Sequence, residues 1–128
     1  MQVQSLDHLV LTVADVEASA IFYARVLGMQ RVIFGEGRTA LQFGNQKINL
    51  HSAVAPLQPH ALRPVAGSAD LCFVTQLMLA EWLKHLAACG VAVEAGPVAR
   101  TGALGPMMSL YFRDPDGNLI EIAKYPEP

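Results

Sequence analysis

Several classes of protein are excluded by what this chain has little of. Charged residues make up 16% of its 128 residues, and Lys and Arg nowhere form a run. Because a nucleic-acid interface needs clustered cations to neutralise phosphates, we expect no nucleic-acid partner. No apolar segment approaches the ~20 residues that cross a bilayer, so we expect no membrane partner either. The 52% of hydrophobic residues excludes disorder and is enough for a folded core.

Cysteine is scarce as well, with only Cys72 and Cys89 in the chain. Two cysteines, one in a strand-like segment and one at a helix end, make a poor disulfide framework. The first residues carry no basic region, and Asp7 and His8 interrupt their apolar stretch, so we expect no signal peptide. We therefore predict a cytoplasmic protein with two reduced thiols, both packed as small apolar core residues.

The main positive signal is an internal repeat in the order of the predicted elements. In the first half, an alternating strand is followed by a helix that Asp15 caps and Gly28 ends, and then by three short strands. The second half repeats this order, with a helix that ends at Gly90. The predicted strands are 6–13, 29–34, 39–43 and 47–51 in the first half, and 68–74, 91–94, 107–113 and 118–123 in the second. Turns are predicted at 35–37, 44–45 and 114–117.

The spacing of matching residues supports a duplicated module. His8 and Asp70 are 62 residues apart, whereas Gly44 and Gly117, which precede the last strand of each half, are 73 apart. The second half therefore has about 11 extra residues in its middle, which we assign to a loop at 100–106.

The fold class that follows is α+β, with two tandem βαβββ modules at about 5–52 and 68–125 in a single domain covering 1–128. A module of ~60 residues buries too little surface alone, so the two must share a core, within one chain or across a homodimer. The alternative is an α+β sandwich whose halves match by chance.

A polar side chain interrupts the apolar alternation of the first strand in each half. His8 shares a face with Leu6 and Val10, and Asp70, its counterpart, shares a face with Cys72. A lone histidine in that setting is more often a hydrogen-bonded core residue than a ligand. The repeat favours a ligand, because two equivalent strands aim a metal-competent side chain in the same direction.

The last strand of each half adds further candidates. Asn49 and His51 lie on one face of the 47–51 strand, and Glu121 lies between two isoleucines that point the other way. A carboxylate buried there needs a partner or a cation; the alternative is that Glu121 points to water from an edge strand. Together, His8, His51, Asp70 and Glu121 fit a site for one divalent ion, Fe, Mn, Ni, Co or Zn, with water completing the coordination sphere.

Three segments carry a resemblance to a known family: the opening LDHLVLTV, the helix end FYARVLGM and, most distinctive, YFRDPDGNLIEI. Together with the tandem modules, they resemble the vicinal oxygen chelate superfamily (glyoxalase/bleomycin resistance/dioxygenase). The segments QKINLH, GSADLCF and RTGALGP are similar to the small members of the glyoxalase-domain-containing-5 and bacterial virulence-protein type. The resemblance covers essentially the whole chain and implies a half-open, barrel-like mixed sheet around a metal site.

The resemblance also implies a ligand set, since the family's metal positions lie on the first and fourth strands of each module. His8 and Glu121 match such positions directly, and Asp70 stands where several relatives have histidine. In the fourth strand of the first module, Asn49 is nearest to the family's glutamate, but His51 lies on the same face and imidazole binds these metals better than an amide. We therefore predict one divalent metal held by His8, His51 and Glu121, with Glu121 and Asp70 as catalytic residues.

Three more residues are predicted to contact the substrate. Ser109 and Tyr111 resemble residues that line the substrate site in fosfomycin enzymes, and Arg100 with its glycine-flanked loop fits a lid that contacts an anion. The alternatives are a solvated polar strand face and an ordinary flexible loop.

The resemblance implies an enzyme whose metal chelates two neighbouring oxygens of a small substrate. A lyase or isomerase acting on a 2-oxoaldehyde–thiol adduct is the leading interpretation, ahead of a dioxygenase or a thiol transferase. A non-catalytic binding protein of the bleomycin-resistance kind uses the same fold without a metal. The candidate ligands favour the enzyme, whose predicted partners are a small-molecule substrate and a second copy of the chain.

Overall fold

The computed structural model describes residues 1–128 and contains two helices and eight strands. The chain divides into two compact units, Met1–Gly67 (unit 1) and Ser68–Pro128 (unit 2). Unit 1 contains β1 (His8–Val13), α1 (Val16–Leu27), β2 (Gln30–Phe34), β3 (Arg38–Phe43) and β4 (Gln46–Ser52). Unit 2 contains β5 (Asp70–Val74), α2 (Leu79–Ala88), β6 (Ala95–Gly102), β7 (Gly105–Arg113) and β8 (Leu119–Lys124).

Each unit forms one four-stranded mixed sheet, and the strand order is the same in both. The order is β1-β4-β3-β2 in unit 1 and β5-β8-β7-β6 in unit 2. In both sheets the first strand of the unit pairs in parallel with the last, and the other pairs are antiparallel. The predicted α+β fold with two tandem βαβββ modules is confirmed, and the shared strand order excludes a chance match between the halves.

The helix of unit 1 begins and ends at the residues that its sequence predicts. The Asp15 side chain accepts a hydrogen bond from the Ala18 N–H at 3.0 Å. Gly28 ends the helix in the left-handed conformation, with a φ of 67°, and its N–H donates to the Tyr23 carbonyl. The helix covers one face of the sheet. The buried apolar side chains of this layer are Ala20, Tyr23 and Val26 from the helix and Leu11, Val13, Leu41, Ile48 and Leu50 from the strands.

A hydrogen-bonded turn joins β7 to β8 in unit 2, where the sequence predicts one. The Asp114 carbonyl accepts from the Gly117 N–H at 3.0 Å. Asn118 is 1% exposed; its Nδ2 donates to Asp114 Oδ2, and its Oδ1 accepts from the Ala69 N–H, each at 2.8 Å. Asn118 therefore ties the start of β5 to the turn before β8. The buried apolar side chains of unit 2 are Leu79, Leu86, Met107, Leu110, Phe112, Ile120, Ile122 and Ala123.

The β6–β7 hairpin differs from the predicted elements. The predicted strand at 91–94 is wrong, because the Val91 N–H bonds to the Leu86 carbonyl at 2.9 Å and extends the end of α2. The predicted loop at 100–106 is also wrong, because Gly102 pairs with Gly105 across a two-residue turn. Only part of the extra length lies in the hairpin strands: β6 and β7 have 8 and 9 residues, against 5 and 6 in β2 and β3. Arg100 consequently lies on a strand and not in a lid.

Neither cysteine forms a disulfide bond, as predicted. The expectation that both are core residues is wrong, since Cys72 is exposed and Cys89 is half-buried. Cys72 pairs with Glu121 and so lies on the polar face of its sheet, opposite to the isoleucines of β8. No helix of the chain has the length and apolar content needed to span a membrane.

Candidate functional site

Unit 1 carries polar side chains on the sheet face that points away from α1. Val10 of β1 pairs with Asn49 of β4, and Thr12 pairs with His51. Paired residues share a face, and neighbours along a strand alternate, so Asn49 and His51 lie opposite to the apolar layer that packs against the helix. Both side chains are nevertheless buried, at 4% and 6% exposure. The predicted orientation of this strand is therefore observed.

His8 begins β1 on the same face and has a carboxylate neighbour. Its Nδ1 lies 2.7 Å from Asp7 Oδ1, and the carboxylate can only accept, so Nδ1 carries the proton. The lone pair of Nε2 is then available to a ligand. The alternative of a core histidine is wrong, because the side chain is 43% exposed.

Asn49 presents a buried oxygen that nothing in the fold satisfies. Its Oδ1 has no hydrogen-bond partner. Val10 and Ala40, which flank Asn49 on the two neighbouring strands, have no polar side-chain atom to offer. A buried acceptor without a partner lowers the stability of the fold by about 1–3 kcal/mol. A bound hydrogen-bond donor or cation would recover this loss.

His51 is paired with a cation of the neighbouring strand. Arg38 Nη2 lies 3.2 Å from His51 Nε2, and since a guanidinium can only donate, Nε2 accepts this hydrogen bond. Burial, together with the positive charges of Arg38 and His60, lowers the pKa of His51. His51 is therefore a neutral imidazole whose Nε2 is already in use.

A second cation and an aromatic ring complete this part of unit 1. The Arg38 guanidinium carbon lies 4.7 Å from the centre of the Phe34 ring, and Lys47 Nζ lies 3.8 Å from it. Beside His51 is a cavity of about 300 Å³, which is the size of a small-molecule site. The cavity is lined by Val10, Thr12, His51, Pro59, His60, Ala61 and Pro64.

In unit 2, Glu121 occupies the middle of the polar face. It pairs with Cys72 on one side and Tyr111 on the other, because β8 lies between β5 and β7. The alternative of an edge strand facing water is therefore wrong. Glu121 Oε2 is buried and has no hydrogen-bond partner. Desolvation of the thiol and the adjacent Glu121 carboxylate raise the pKa of Cys72 to about 11, although the residue as a whole is exposed, so this thiol stays protonated.

The predicted substrate contacts lie on the same face of unit 2 as Glu121. Ser109 is fully buried, and its Oγ has no hydrogen-bond partner. The Tyr111 hydroxyl accepts a hydrogen bond from Arg100 Nε at 2.9 Å, and the guanidinium lies 5.3 Å from the centre of the same ring. Arg100 is thus held against Tyr111. Arg113, next along the face, is paired with Glu94 at 3.0 Å.

Comparison with known proteins decides the family. A profile of the Glyoxalase/Bleomycin resistance protein/Dioxygenase superfamily matches residues 5–122. The chain belongs to this superfamily. It is 54% identical over 125 residues to the glyoxalase domain-containing protein RDO1 of Mycosarcoma maydis, covering 98% of this chain and 70% of that protein. It is 50% identical to virulence protein STM3117 of Salmonella typhimurium, covering 98% of this chain and 87% of that one.

Solved structures of other proteins share the fold. The integron cassette protein VCH_CASS1, from the mobile metagenome of V. cholerae, superposes with a TM-score of 0.96 at 54% identity, covering 98% of both chains. Two more distant structures share the fold alone. Lactoylglutathione lyase from Agrobacterium tumefaciens has a TM-score of 0.74 at 23% identity, and the antibiotic-binding protein TnmS3 from Streptomyces has a TM-score of 0.75 at 22%.

The superfamily site residues predicted from the sequence are divided between the two units. His8 and His51 lie on the polar face of unit 1, and Asp70 and Glu121 lie on the polar face of unit 2. No three His, Cys, Asp or Glu side chains come together as a metal-binding group. Neither unit alone therefore supplies the predicted ligand set.

Sequence reasoning missed Arg38, Lys47 and Phe34, although one signal was available. The two-residue turn between β3 and β4 fixes their pairing, and Thr39 opposite Leu50 brings Arg38 to the level of His51. Counting residues outward from that turn along β3 and β4 therefore predicts that Arg38 lies beside His51.

Proposed function

We propose that the protein is a divalent-metal-dependent enzyme of the glyoxalase type, acting on a small molecule that chelates through two oxygens. The observation that carries the proposal is a matched pair of buried oxygens without partners, Asn49 Oδ1 in unit 1 and Glu121 Oε2 in unit 2. Each costs stability in the protein alone, and a cation is a partner that satisfies both an amide and a carboxylate oxygen. A bound cation would therefore account for two buried oxygens that the fold itself leaves without partners.

The donors on the two polar faces fit a first-row divalent ion. His8 offers Nε2, held in position by the Asp7 carboxylate, and such carboxylate–histidine pairs commonly support metal ligands. Glu121 adds a carboxylate, and this mixture of nitrogen and oxygen suits Fe, Mn, Ni, Co or Zn. The third ligand is His51, as the sequence predicts, or Asn49 through its free oxygen. His51 ligates through Nε2 only by giving up its bond to Arg38.

A metal bound by these residues would polarise two neighbouring substrate oxygens and stabilise an enediolate-like anion. Proton transfer is assigned to the carboxylates of unit 2. Glu121 is the first candidate base, because its Oε2 is not engaged in any hydrogen bond within the fold. Asp70, on the same face, is the second candidate base. Ser109, Tyr111 and Arg100 are assigned to substrate contact.

The leading reaction is that of a lyase or isomerase acting on a 2-oxoaldehyde–thiol adduct. A dioxygenase or a thiol transferase is the alternative within the superfamily, since each also begins with chelation of the substrate. The cavity beside His51 favours a further candidate, a small-molecule-binding protein without catalysis, because a cavity of about 300 Å³ holds a ligand without any metal. Metal dependence separates this candidate from the enzymes.

The experiment is metal analysis of protein purified without chelators, followed by a substrate panel with the metal restored. The panel holds a 2-oxoaldehyde–glutathione adduct, a catechol with oxygen, and an epoxide with a thiol. Metal-dependent turnover of the adduct supports the leading reaction, and turnover of another substrate selects an alternative. If these molecules bind tightly whether or not metal is present, and none is turned over, the protein is a small-molecule-binding protein and not an enzyme.

We further propose that the protein acts in the cytoplasm as a homodimer. The absence of a disulfide between the two cysteines fits a reducing compartment. Each unit is small for an independent core, so association with a second copy of the chain is favoured. We expect light scattering to give about twice the chain mass of 13.8 kDa. A strictly monomeric species at micromolar concentration would contradict the dimer.

A further inference from the structure

The polar face of unit 1 has an unbalanced charge. None of the four strands of its sheet contains Asp or Glu. Two cations, Arg38 and Lys47, are half-buried there, and neither forms an ion pair with a carboxylate. Three cations elsewhere do have a carboxylate partner: Arg31, on the other face of β2, bonds to Glu17, Arg113 bonds to Glu94, and Lys124 bonds to Glu127. The two cations of this face therefore have no counterion in the fold.

The two cations are also held in place. Both approach the Phe34 ring, and Arg38 is further fixed by its hydrogen bond to His51. Arg38 Nε is buried and has no hydrogen-bond partner, so the guanidinium keeps unused donors. A cation fixed by a ring and a neighbouring imidazole loses little entropy when it binds an anion.

The cavity next to His51 adds space for the rest of a ligand. His51 lines the cavity and bonds to Arg38, so the cavity adjoins this one of the two cations. Charge-assisted hydrogen bonds from a guanidinium to a carboxylate or phosphate are among the strongest in proteins.

We propose that Arg38 and Lys47 form a subsite for the oxyanion group, a carboxylate or a phosphate, of an acidic small-molecule substrate. This inference rests on the proposed function in one respect, that the substrate occupies this face. It narrows the substrate class to acids.

The subsite is tested on the full chain by NMR of the arginine Nε–Hε groups during titration with inorganic phosphate and, separately, with succinate. Sodium chloride keeps the ionic strength constant, and succinamide serves as the uncharged analogue. We expect saturable shifts of the Arg38 signal with at least one of the two anions, and none with succinamide. Whichever anion binds identifies the source of the oxyanion. An Arg38 signal indifferent to both anions would overturn the proposal.

Variants tie the shifts to the two side chains. R38Q and K47Q are each expected to weaken binding by about 10-fold or more, the usual effect of losing a charge-assisted contact. R31Q, which removes a cation from the other face of the same sheet, is the matched control and is expected to bind as wild type. Equal weakening in R31Q would show a general charge effect and overturn the subsite. Because Lys47 makes no hydrogen bond within the fold, K47Q remains informative if R38Q fails to fold.

Binding of Mn²⁺ to R38Q keeps this inference separate from the proposed function. If R38Q loses anion binding but still binds Mn²⁺, the subsite is supported and the metal site is unaffected. If wild type binds Mn²⁺ but no anion, the subsite is wrong and the proposed function stands. If wild type binds the anion but takes up no metal, the proposal of a metal-dependent enzyme is wrong and the anion subsite is still supported.

Discussion

Asn49 and Glu121 occupy the same register position in their respective units. Asn49 lies opposite Val10, the third residue of β1, and Glu121 lies opposite Cys72, the third residue of β5. Both carry a buried oxygen without a hydrogen-bond partner. The duplicated module therefore repeats a buried oxygen without a hydrogen-bond partner along with its strand order. His51 lies two residues beyond this position in β4.

Replacing Asn49 separates a structural from a ligand role. Asn49→Val removes the unsatisfied oxygen and suits a strand, so we expect the free energy of unfolding without metal to rise by about 1 kcal/mol. Urea denaturation measures this change. If Asn49 is a ligand, the same variant binds metal more weakly while His51→Ala retains it. The reverse pattern would establish His51 as the third ligand, and a destabilised Asn49→Val would show that the amide is satisfied in the folded protein.

Asp70→Asn tests the remaining carboxylate of the polar face in unit 2. The change preserves volume and removes the charge. We expect metal to be retained with affinity lowered by roughly 10–100-fold and with lower activity, as for a residue that orients a ligand or a bound water. Calorimetric titration with Mn²⁺ measures the affinity. An empty site would make Asp70 a direct ligand, whereas wild-type affinity and turnover would remove it from the site.

Asn118→Ala is expected to lower the stability of unit 2. The change leaves the Ala69 N–H and Asp114 Oδ2 without their partner in a buried turn, at a cost of about 2–4 kcal/mol. Asn45, which follows Gly44 as Asn118 follows Gly117, is exposed in the corresponding turn of unit 1. Asn45→Ala is the matched control, with an expected change within about 0.5 kcal/mol. Equal losses in urea denaturation would contradict the buried link.

The sequence predicts the fold well where local signals act alone. Asp15 and Gly28 mark the ends of α1 because a cap and a left-handed glycine are local features. The predicted strand at 91–94 is wrong because its first residue belongs to the end of α2, where the Val91 N–H bonds to the Leu86 carbonyl. Glycines at 102 and 105 indicate a turn, but a hairpin and a loop share that signal.

The part of the candidate site that depends on local strand alternation can be predicted from the sequence. Strand alternation places Asn49, His51 and Glu121 on polar faces, and the structure agrees. Alternation does not show which nitrogen or oxygen is already in use. The bond from Arg38 to His51 depends on pairing between strands, and the unsatisfied oxygen of Asn49 depends on which residues lie beside it.

The central proposal, that His8 and Glu121 are ligands of a divalent metal, is tested most directly by metal stoichiometry. Wild type, His8→Ala, Glu121→Gln and the control Glu94→Gln are dialysed against MnCl₂, and bound metal is measured by elemental analysis. We expect about one ion per chain in wild type and in Glu94→Gln, and less than about a tenth of that in the other two, since each lacks a direct ligand. Unchanged stoichiometry in both His8→Ala and Glu121→Gln would contradict the account.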